Sequence, residues 1–323
     1  MEMPTTPPAA NDSPTLLTPR KIILQVIGWL AGIALLSWVI WGASKKGDWS
    51  KVTQADPKLI AALLGCTVVS SMLNGTAFWI TIQPLRRVRW RDMQLLNLVS
   101  NMLNYAPVRL GMIARVMYNF RVDRLNLIQI GAWFALLTYV LFLGAGACLV
   151  ATLVRNQLDI IWLGIVLAQM AIGGLAAVIF AGHPIVARYA RGIEQLVTQQ
   201  RGLWVAIVLR VLDLGMYVGR MAAALAILDL HLEPSQLVQL ALVAFATDLV
   251  PIGKLGFREW CVSKVAAGIS AQAMQTGTWD QLALVDSAGQ MLVFIPLGAI
   301  SLLWYRAQWV NAKSQPLETE SSQ

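Results

Sequence analysis

Six apolar runs, each long enough for a helix to cross a lipid bilayer, dominate this sequence. An α-helix covers the hydrocarbon core, roughly 30 Å thick, with about 20 residues. Because the core offers no hydrogen-bond partners, a helix that satisfies its own backbone is the favoured way across. The runs are residues 22–42, 58–82, 128–153, 160–181, 203–228 and 283–305. The sequence therefore predicts an all-α membrane protein with six transmembrane helices.

The overall composition supports this class. Hydrophobic residues make up 57% of the 323 positions and charged residues only 13%, about half the charged share of a soluble domain. A net charge of +8 is typical of membrane proteins that keep basic loops at anionic headgroups, so we expect no nucleic-acid partner. The three cysteines are scattered through apolar segments, a pattern that predicts neither disulfides nor a metal site. We expect no cofactor.

The chain ends differ from the apolar middle. Residues 1–20 are rich in Pro and Thr, and we expect them and residues 307–323 to be disordered cytoplasmic tails. Residues 21–306 then form the transmembrane domain. Eight Arg lie between residues 86 and 124. Because basic residues of membrane proteins concentrate in the cytoplasmic loops, this positive-inside bias predicts that both termini are cytoplasmic. Lys45, Lys46 and Lys51 are the main exception to the bias.

Two further stretches, 92–115 and 236–258, begin as apolar runs but break at "APVRLG" and "VPIGKLG". Pro removes a backbone donor and Gly permits unusual dihedral angles, so these residues predict interrupted helices. The two stretches also match one another at an offset of 144 residues, with one inserted residue before the final glycine. The matched pairs are Leu96 with Leu240, Leu98 with Leu242, Asn104 with Asp248, Pro107 with Pro251, and Gly111 with Gly256.

The positions of the broken stretches predict an inverted repeat. Each follows two full spans and precedes one, and the halves 21–155 and 159–306 begin on opposite sides of the membrane if both stretches are re-entrant. The predicted architecture is six transmembrane helices plus two re-entrant broken-helix segments in a 3+3 inverted repeat. Secondary transporters use this plan and place their substrate site where the discontinuous helices meet.

Basic residues flank both glycines of the breaks. Arg109 and Arg115 lie on either side of Gly111, and Lys254 and Arg258 on either side of Gly256. A positive charge within a bilayer needs a cavity or a counter-charge, and Arg presents a planar fork that suits phosphate oxygens. One interpretation is that all four bind an anionic headgroup. The other is that Arg109 and Arg115 lie at the cytoplasmic surface and only fix the topology.

Other polar residues in the spans leave similar alternatives open. Asp248 and Glu259 either balance Lys254 and Arg258 or carry a coupling proton. Arg210, Asp213 and Arg220 share one face of the fifth span, where they line a cavity or form a structural ion pair. Asn104 either hydrogen-bonds a headgroup or caps a broken helix end.

The stretches "NYAPVRLGMIAR" and "DLVPIGKLGFRE" resemble the two signatures of the lysylphosphatidylglycerol synthase transmembrane-region family. The resemblance covers roughly residues 20–306 and implies a flippase-like fold that moves or holds anionic or modified lipids. It carries over to Pro107, Arg109, Gly111 and Arg115 in the first signature, and to Pro251, Gly256, Arg258 and Glu259 in the second.

The chain departs from the family at two positions. Met112 stands where members often have an acid, and Lys254 replaces the second residue of a glycine pair. Both changes raise the local positive charge and favour a more anionic substrate. The best-known members also fuse this region to a cytosolic aminoacyl-transferase domain, which these residues do not contain, so aminoacylation of lipid is not expected.

These features together predict a flippase-like transporter that moves an anionic phospholipid or glycolipid headgroup between leaflets. The resemblance places it in the inner membrane of a bacterium, and no catalytic constellation in the sequence indicates an enzyme. One alternative is a non-transporting scaffold that presents lipid to an enzyme partner of envelope or lipid synthesis. A lipid-modifying enzyme within the membrane is a third hypothesis.

Overall fold

The computed structural model describes residues 19–106, 110–181, 200–248, 256–269 and 276–314. Within these ranges 87% of the residues are helical and none lies in a strand. The helices are α1 Pro19–Lys46, α2 Trp49–Thr53, α3 Pro57–Ile82, α4 Trp90–Leu103, α5 Leu110–Arg121, α6 Leu127–Val154, α7 Ile160–Ala181, α8 Gln200–Ile227, α9 Pro234–Thr247, α10 Phe257–Ile269 and α11 Thr276–Ser314.

Five of these helices, α3, α6, α7, α8 and α11, are long and apolar enough to cross a membrane. They coincide with five of the six predicted spans, and the chain is therefore a multi-pass membrane protein by its helices. The remaining predicted span, 22–42, lies within α1, which is helical throughout that range.

Both stretches predicted to be broken consist of two short helices. The first contains α4 and α5, of 14 and 12 residues, and the second contains α9 and α10, of 14 and 13 residues. At 1.5 Å per residue, 14 residues reach about 21 Å, which is less than the hydrocarbon core. Pro107 and Pro251, predicted to break the helices, lie outside the described residues, as do Arg109 and Lys254, predicted to bind the headgroup.

Local signals explain where the helices begin. Asn126 and Gln129 form a reciprocal capping box at the start of α6, which satisfies two amide groups that the helix itself leaves free. Asp56 accepts a hydrogen bond from the Lys58 amide at the start of α3, at 2.8 Å. Pro57 follows at the first helical position, where its missing N–H has no effect.

The two glycines of the breaks are sites of close backbone packing. A Cβ atom on Gly256 would lie 1.6 Å from the Gly32 carbonyl oxygen of α1, and its φ of +84° favours glycine. A Cβ atom on Gly111 would lie 1.9 Å from the carbonyl oxygen of Ser100. Gly111, predicted to belong to the first break, lies in the first turn of α5, which begins directly after residues 107–109. Its small size allows α5 to pack directly against the end of α4.

The helices form one bundle in which α3 packs along α8. One hydrophobic cluster lies mainly between α6, α7 and α8 and contains Trp133 and Leu203; a second lies around α8, α10 and α11 and contains Met221 and Trp279. The last helix, α11, has 39 residues and contains Pro296, and its length of about 58 Å exceeds the bilayer core. It continues to Ser314, past the predicted boundary at residue 306.

Candidate functional site

A central cavity of about 390 Å³ lies among α3, α4, α5, α6, α8, α9 and α11. Its walls combine aromatic and aliphatic side chains with an unusual number of polar groups for the interior of a membrane protein. The polar and charged side chains that line it are Ser70, Ser71, Asn74, Ser100, Asn101, Asn104, Arg115, Thr138, Arg210, Asp213, Tyr217, Arg220 and Asp248.

Most of the residues singled out from the sequence meet at this cavity. Seven of them line it directly: Asn104, Gly111, Arg115, Arg210, Asp213, Arg220 and Asp248. Arg258 and Glu259 lie next to it, in a hydrogen-bonded cluster that reaches the cavity through Asp248 and Arg220. Residues from both halves of the chain therefore share one site.

Arg115 of α5 is buried in the cavity wall, with 4% of its surface exposed. Its Nη2 atom donates to Asn97 Oδ1 at 2.7 Å and its Nε atom donates to Ser100 Oγ at 3.4 Å. The guanidinium carbon lies 3.7 Å from the centre of the Phe78 ring, within range of a cation–π interaction. The described side chains therefore surround this charge with an amide, a hydroxyl and an aromatic face.

No carboxylate among the described residues lies within 4 Å of Arg115. A buried charge is normally paired, because removal from water without a partner costs several kcal/mol. Its burial shows that Arg115 is part of the cavity wall, and its depth in the membrane stays a prediction. Arg115 is the feature of the cavity that most clearly calls for an anion.

Asn97 holds Arg115 in place. Its side-chain Nδ2 atom donates to the Ser71 carbonyl oxygen at 2.9 Å, which orients Oδ1 toward the guanidinium group. The polar side chains of α3, Ser70, Ser71 and Asn74, therefore hydrogen-bond to neighbouring helices, as is common between membrane helices. Sequence reasoning missed Asn97 and Ser100 as partners. The available signal was that both lie on the same face of α4 as Asn101 and Asn104.

Arg210 and Asp213 of α8 form an ion pair in the cavity wall. Arg210 Nη1 lies 2.8 Å from Asp213 Oδ2, and both side chains are at most 5% exposed. Ser70 of α3 donates a hydrogen bond to the other oxygen of Asp213. The spacing of three residues on one helix face had predicted this pairing. The pair lines the cavity as well, so the two alternatives for these residues are compatible.

A second cluster of charges joins α8, α9, α10 and α11 beside the cavity. Arg220 Nε donates to Asp286 Oδ1 at 2.6 Å, and Arg258 binds the other oxygen of the same carboxylate. Arg258 Nε also lies 3.9 Å from Asp248 Oδ1. Asp248 Oδ2 accepts a hydrogen bond from the Tyr217 hydroxyl at 2.6 Å. These contacts tie the second broken segment to α8 and α11.

Glu259 completes this cluster. It accepts hydrogen bonds from the backbone N–H of Gly256, at 2.6 Å, and from the hydroxyl of Ser287. Ser287 in turn accepts a hydrogen bond from Arg258 Nη1 at 2.8 Å. Glu259 therefore holds the start of α10 and reaches Arg258 through Ser287, and its predicted role as a proton carrier stays a prediction.

Sequence reasoning also missed Asp286, Ser287 and Gln290, which lie in the last apolar run. With its amide oxygen turned toward the guanidinium groups, Gln290 accepts from both Arg220 and Arg258. The signal was present, because an acid such as Asp286 inside a membrane span is expensive and needs a basic partner. The described residues contain no group of three or more His, Cys, Asp or Glu that could hold a metal ion.

The cavity reaches the outside of the bundle between α5 and α6. Met112 of α5 and Phe142 of α6 both line it, yet they are 50% and 61% exposed. Thr138 of α6 also lines the cavity and is exposed. Among the described residues the mouth is therefore mainly apolar, while the charged groups lie deeper. Comparisons of the chain with protein-family models, with curated proteins and with solved structures give no match.

Proposed function

We propose that this protein binds the anionic headgroup of a membrane lipid in its central cavity and moves it between the two leaflets. The observation that carries the proposal is the buried Arg115, which has neutral hydrogen-bond partners and no carboxylate within reach among the described residues. A phosphate group would supply the missing counter-charge. The fork of a guanidinium group fits two phosphate oxygens.

The position of the cavity mouth favours a lipid over a water-soluble anion. Met112 and Phe142, the exposed apolar residues at the mouth, would face hydrocarbon if α5 and α6 lie in the bilayer. A headgroup could then enter sideways while its acyl chains stay among the lipid tails. A soluble anion would need a polar entrance instead. This arrangement agrees with what the family resemblance of the two broken stretches implies.

The pattern of helix contacts supports a twofold repeat, which is inverted if the two halves begin on opposite sides of the membrane. We pair α1 with α7, α3 with α8, α4 with α9, α5 with α10, and α6 with α11. We then exchange each helix for its counterpart and ask whether the resulting contact is also present. It is present for α3–α4, α4–α5, α3–α6, α5–α6, α1–α11, α6–α8 and α6–α9. The contact α3–α8 maps onto itself. The contacts α1–α10, α5–α11 and α7–α8 have no such counterpart among the more extensive helix contacts of the described residues.

In this proposal the two broken segments approach the cavity from opposite sides of the membrane, and rocking of one half against the other opens it to each leaflet in turn. Both termini lie in the cytoplasm. The charge cluster around Asp286 holds the second segment in place, whereas the first segment offers Arg115 to the ligand. The two halves therefore differ in charge. In the first half Arg115 has no carboxylate partner among the described residues, whereas in the second half Arg220 and Arg258 are paired with Asp286.

The experiment compares Arg115→Gln with Arg91→Gln, a matched control at an exposed position of α4. The purified proteins are analysed by native mass spectrometry for retained lipid. They are then reconstituted into liposomes with fluorescent analogues of phosphatidylglycerol and phosphatidylethanolamine, and chemical quenching of the outer leaflet reports flipping. We expect Arg115→Gln to retain at least tenfold less anionic lipid and to flip it correspondingly more slowly, while the control behaves like the wild type.

Three outcomes separate the alternatives. If the wild type retains anionic lipid but does not flip it, the chain is a lipid-presenting scaffold. If the retained lipid changes mass during incubation, the protein modifies lipid. If Arg115→Gln retains as much anionic lipid as the control, the headgroup does not bind at Arg115 and the proposal is wrong.

A further inference from the structure

A second cavity, of about 480 Å³, lies on the other side of the charge cluster from the first. It is lined by α1, α2, α3, α8, α10 and α11, and nearly all of its lining is aliphatic or aromatic. Its inner wall is formed by residues that are otherwise buried, among them Leu63, Ile227 and Val285, with exposed fractions of 4%, 6% and 8%. This second cavity, which we call the groove, therefore extends into the bundle rather than following its surface.

The groove opens toward the surroundings of the bundle. Ile40 of α1, Ile60 of α3 and Leu292 of α11 line it and are 48%, 38% and 66% exposed. Two of these residues lie on helices that are apolar and long enough to cross a membrane. If these helices cross a membrane, this opening faces lipid hydrocarbon rather than water.

Water is poorly suited to such a groove. Its volume would hold on the order of fifteen molecules at about 30 Å³ each, and each molecule needs two to four polar partners. The polar members of the lining, Glu259 and Ser287, already hydrogen-bond to each other, and Glu259 also accepts from the Gly256 amide. Only an apolar occupant matches these walls.

The outer end of the groove is marked by α2. Trp49 and Val52 line it there, and Lys51 lies between them with its side chain 39% exposed. A Trp beside a Lys at the end of an apolar site is typical of the membrane–water interface. A lipid could keep its headgroup at this interface while one of its chains descends into the groove.

We propose that this groove is a binding site for one acyl chain of a membrane phospholipid. The chain packs between α1, α3 and α11 and ends against the wall formed by Glu259 and Ser287. It is separated from the headgroup cavity by the contacts of Arg258 and Asp286, so the bound phospholipid is distinct from a transported one. The inference requires only that the helices lie in a membrane, and it does not depend on the proposed transport.

The test uses phospholipids with a photoreactive diazirine at the end of one acyl chain, in nanodiscs that contain the full-length protein. After irradiation, labelled positions are mapped by mass spectrometry. Annular lipid can label exposed residues such as Ile172 and Ile179 of α7, 68% and 72% exposed. Only a chain inside the groove can reach the buried residues Leu63 and Val285.

Two variants fill the groove from different sides: Ala288→Phe on α11 and Ile60→Trp on α3, both at lining positions. The matched control is Ala299→Phe, at an exposed position of α11 outside both cavities. We expect the wild type and the control to be labelled at Leu63 and Val285, and each filling variant to lose at least fivefold of that label while labelling of α7 is unchanged.

Absence of label at the buried wall in the wild type would show that only annular lipid is present and would overturn the proposal. Equal labelling of the wall in both filling variants would overturn it as well. Unchanged labelling of α7 serves as the check that a variant is folded, and the second filling variant provides the answer if the first fails that check. Flipping assays play no part in the result.

Discussion

Asn104 and Asp248, which lie 144 residues apart, each immediately follow a helix of the same length. Asn104 follows α4 and Asp248 follows α9, each helix has 14 residues, and the two residues have φ/ψ angles of −72°/−12° and −66°/−14°. Both side chains line the same cavity. Asp248 carries a charge that contacts Arg258, whereas the Oδ1 atom of Asn104 has no partner among the described residues. At this position the first half of the chain thus presents the Asn104 amide to the cavity, and the second half presents the Asp248 carboxylate.

Replacement of Asp286 should destabilise the protein more than any other single loss of charge. Asp286→Asn preserves the shape but leaves Arg220 and Arg258 without the carboxylate that both contact. Breaking a buried ion pair by removing one partner costs about 3–5 kcal/mol. We expect a loss of that order in the free energy of unfolding, measured by titrating SDS into mixed micelles.

The exposed pair of Lys51 and Asp229 provides the control for this measurement. The Asp229 side chain is 79% exposed and lies 3.8 Å from Lys51, and such pairs contribute about 1 kcal/mol at most. Asp229→Asn should therefore leave the unfolding free energy almost unchanged. Equal effects of the two substitutions would mean that the Asp286 cluster does not hold the bundle together.

Much of the fold could be predicted from the sequence, because membrane helices are defined by local hydropathy and length. The ends of α7 and α8 lie within three residues of the predicted ones, and the offset of 144 residues recurs exactly in α4 and α9. The partners within the site could not be predicted in the same way. Which acid faces Arg220, for example, depends on how α8 and α11 pack, and hydropathy carries no information on that. Asp286 was thus missed although its position in an apolar run indicated a buried partner.

Gly256 should tolerate no larger side chain. In Gly256→Ala the new Cβ would lie 1.6 Å from the Gly32 carbonyl oxygen, and neither backbone can yield without moving α1 or α10. The φ of +84° adds strain for any residue with a Cβ atom. We expect Gly256→Ala to fold poorly, with a much reduced yield of monodisperse protein in size-exclusion chromatography.

Gly268, near the end of α10, is the matched control, because a Cβ there meets nothing within 4 Å. Gly268→Ala should change the unfolding free energy by no more than about 1 kcal/mol, in the stabilising direction expected for a residue with helical backbone. A normal yield of Gly256→Ala would show that α1 does not pack on the break as described.

Asp123, in the segment between α5 and α6, should make stability depend on pH. Burial raises the pKa of its carboxyl to about 7, although the nearby Arg86 guanidinium acts in the opposite direction. Because the folded state holds this proton more tightly than the unfolded state, stability is greatest at low pH and is lost as the pH rises from about 4 to about 7. Asp123→Asn removes this pH-dependent contribution to the free energy of unfolding. Thermal unfolding in detergent at pH 5 and pH 8.5 should show the variant gaining a few degrees in Tm relative to the wild type at the higher pH, and parallel profiles would contradict the assignment.

The inverted repeat makes its sharpest prediction at Arg87 and His231. Both are exposed, they are 144 residues apart, and they lie just before α4 and α9 respectively. If the halves are inverted, these two connections lie on opposite sides of the membrane, with Arg87 in the cytoplasm. In a background without Cys66, Cys148 and Cys261, Arg87→Cys should react with a membrane-impermeant maleimide only in inverted vesicles and His231→Cys only in intact cells. Labelling of both from the same side would mean that the halves are parallel, and the two broken segments would then enter the cavity from one leaflet only.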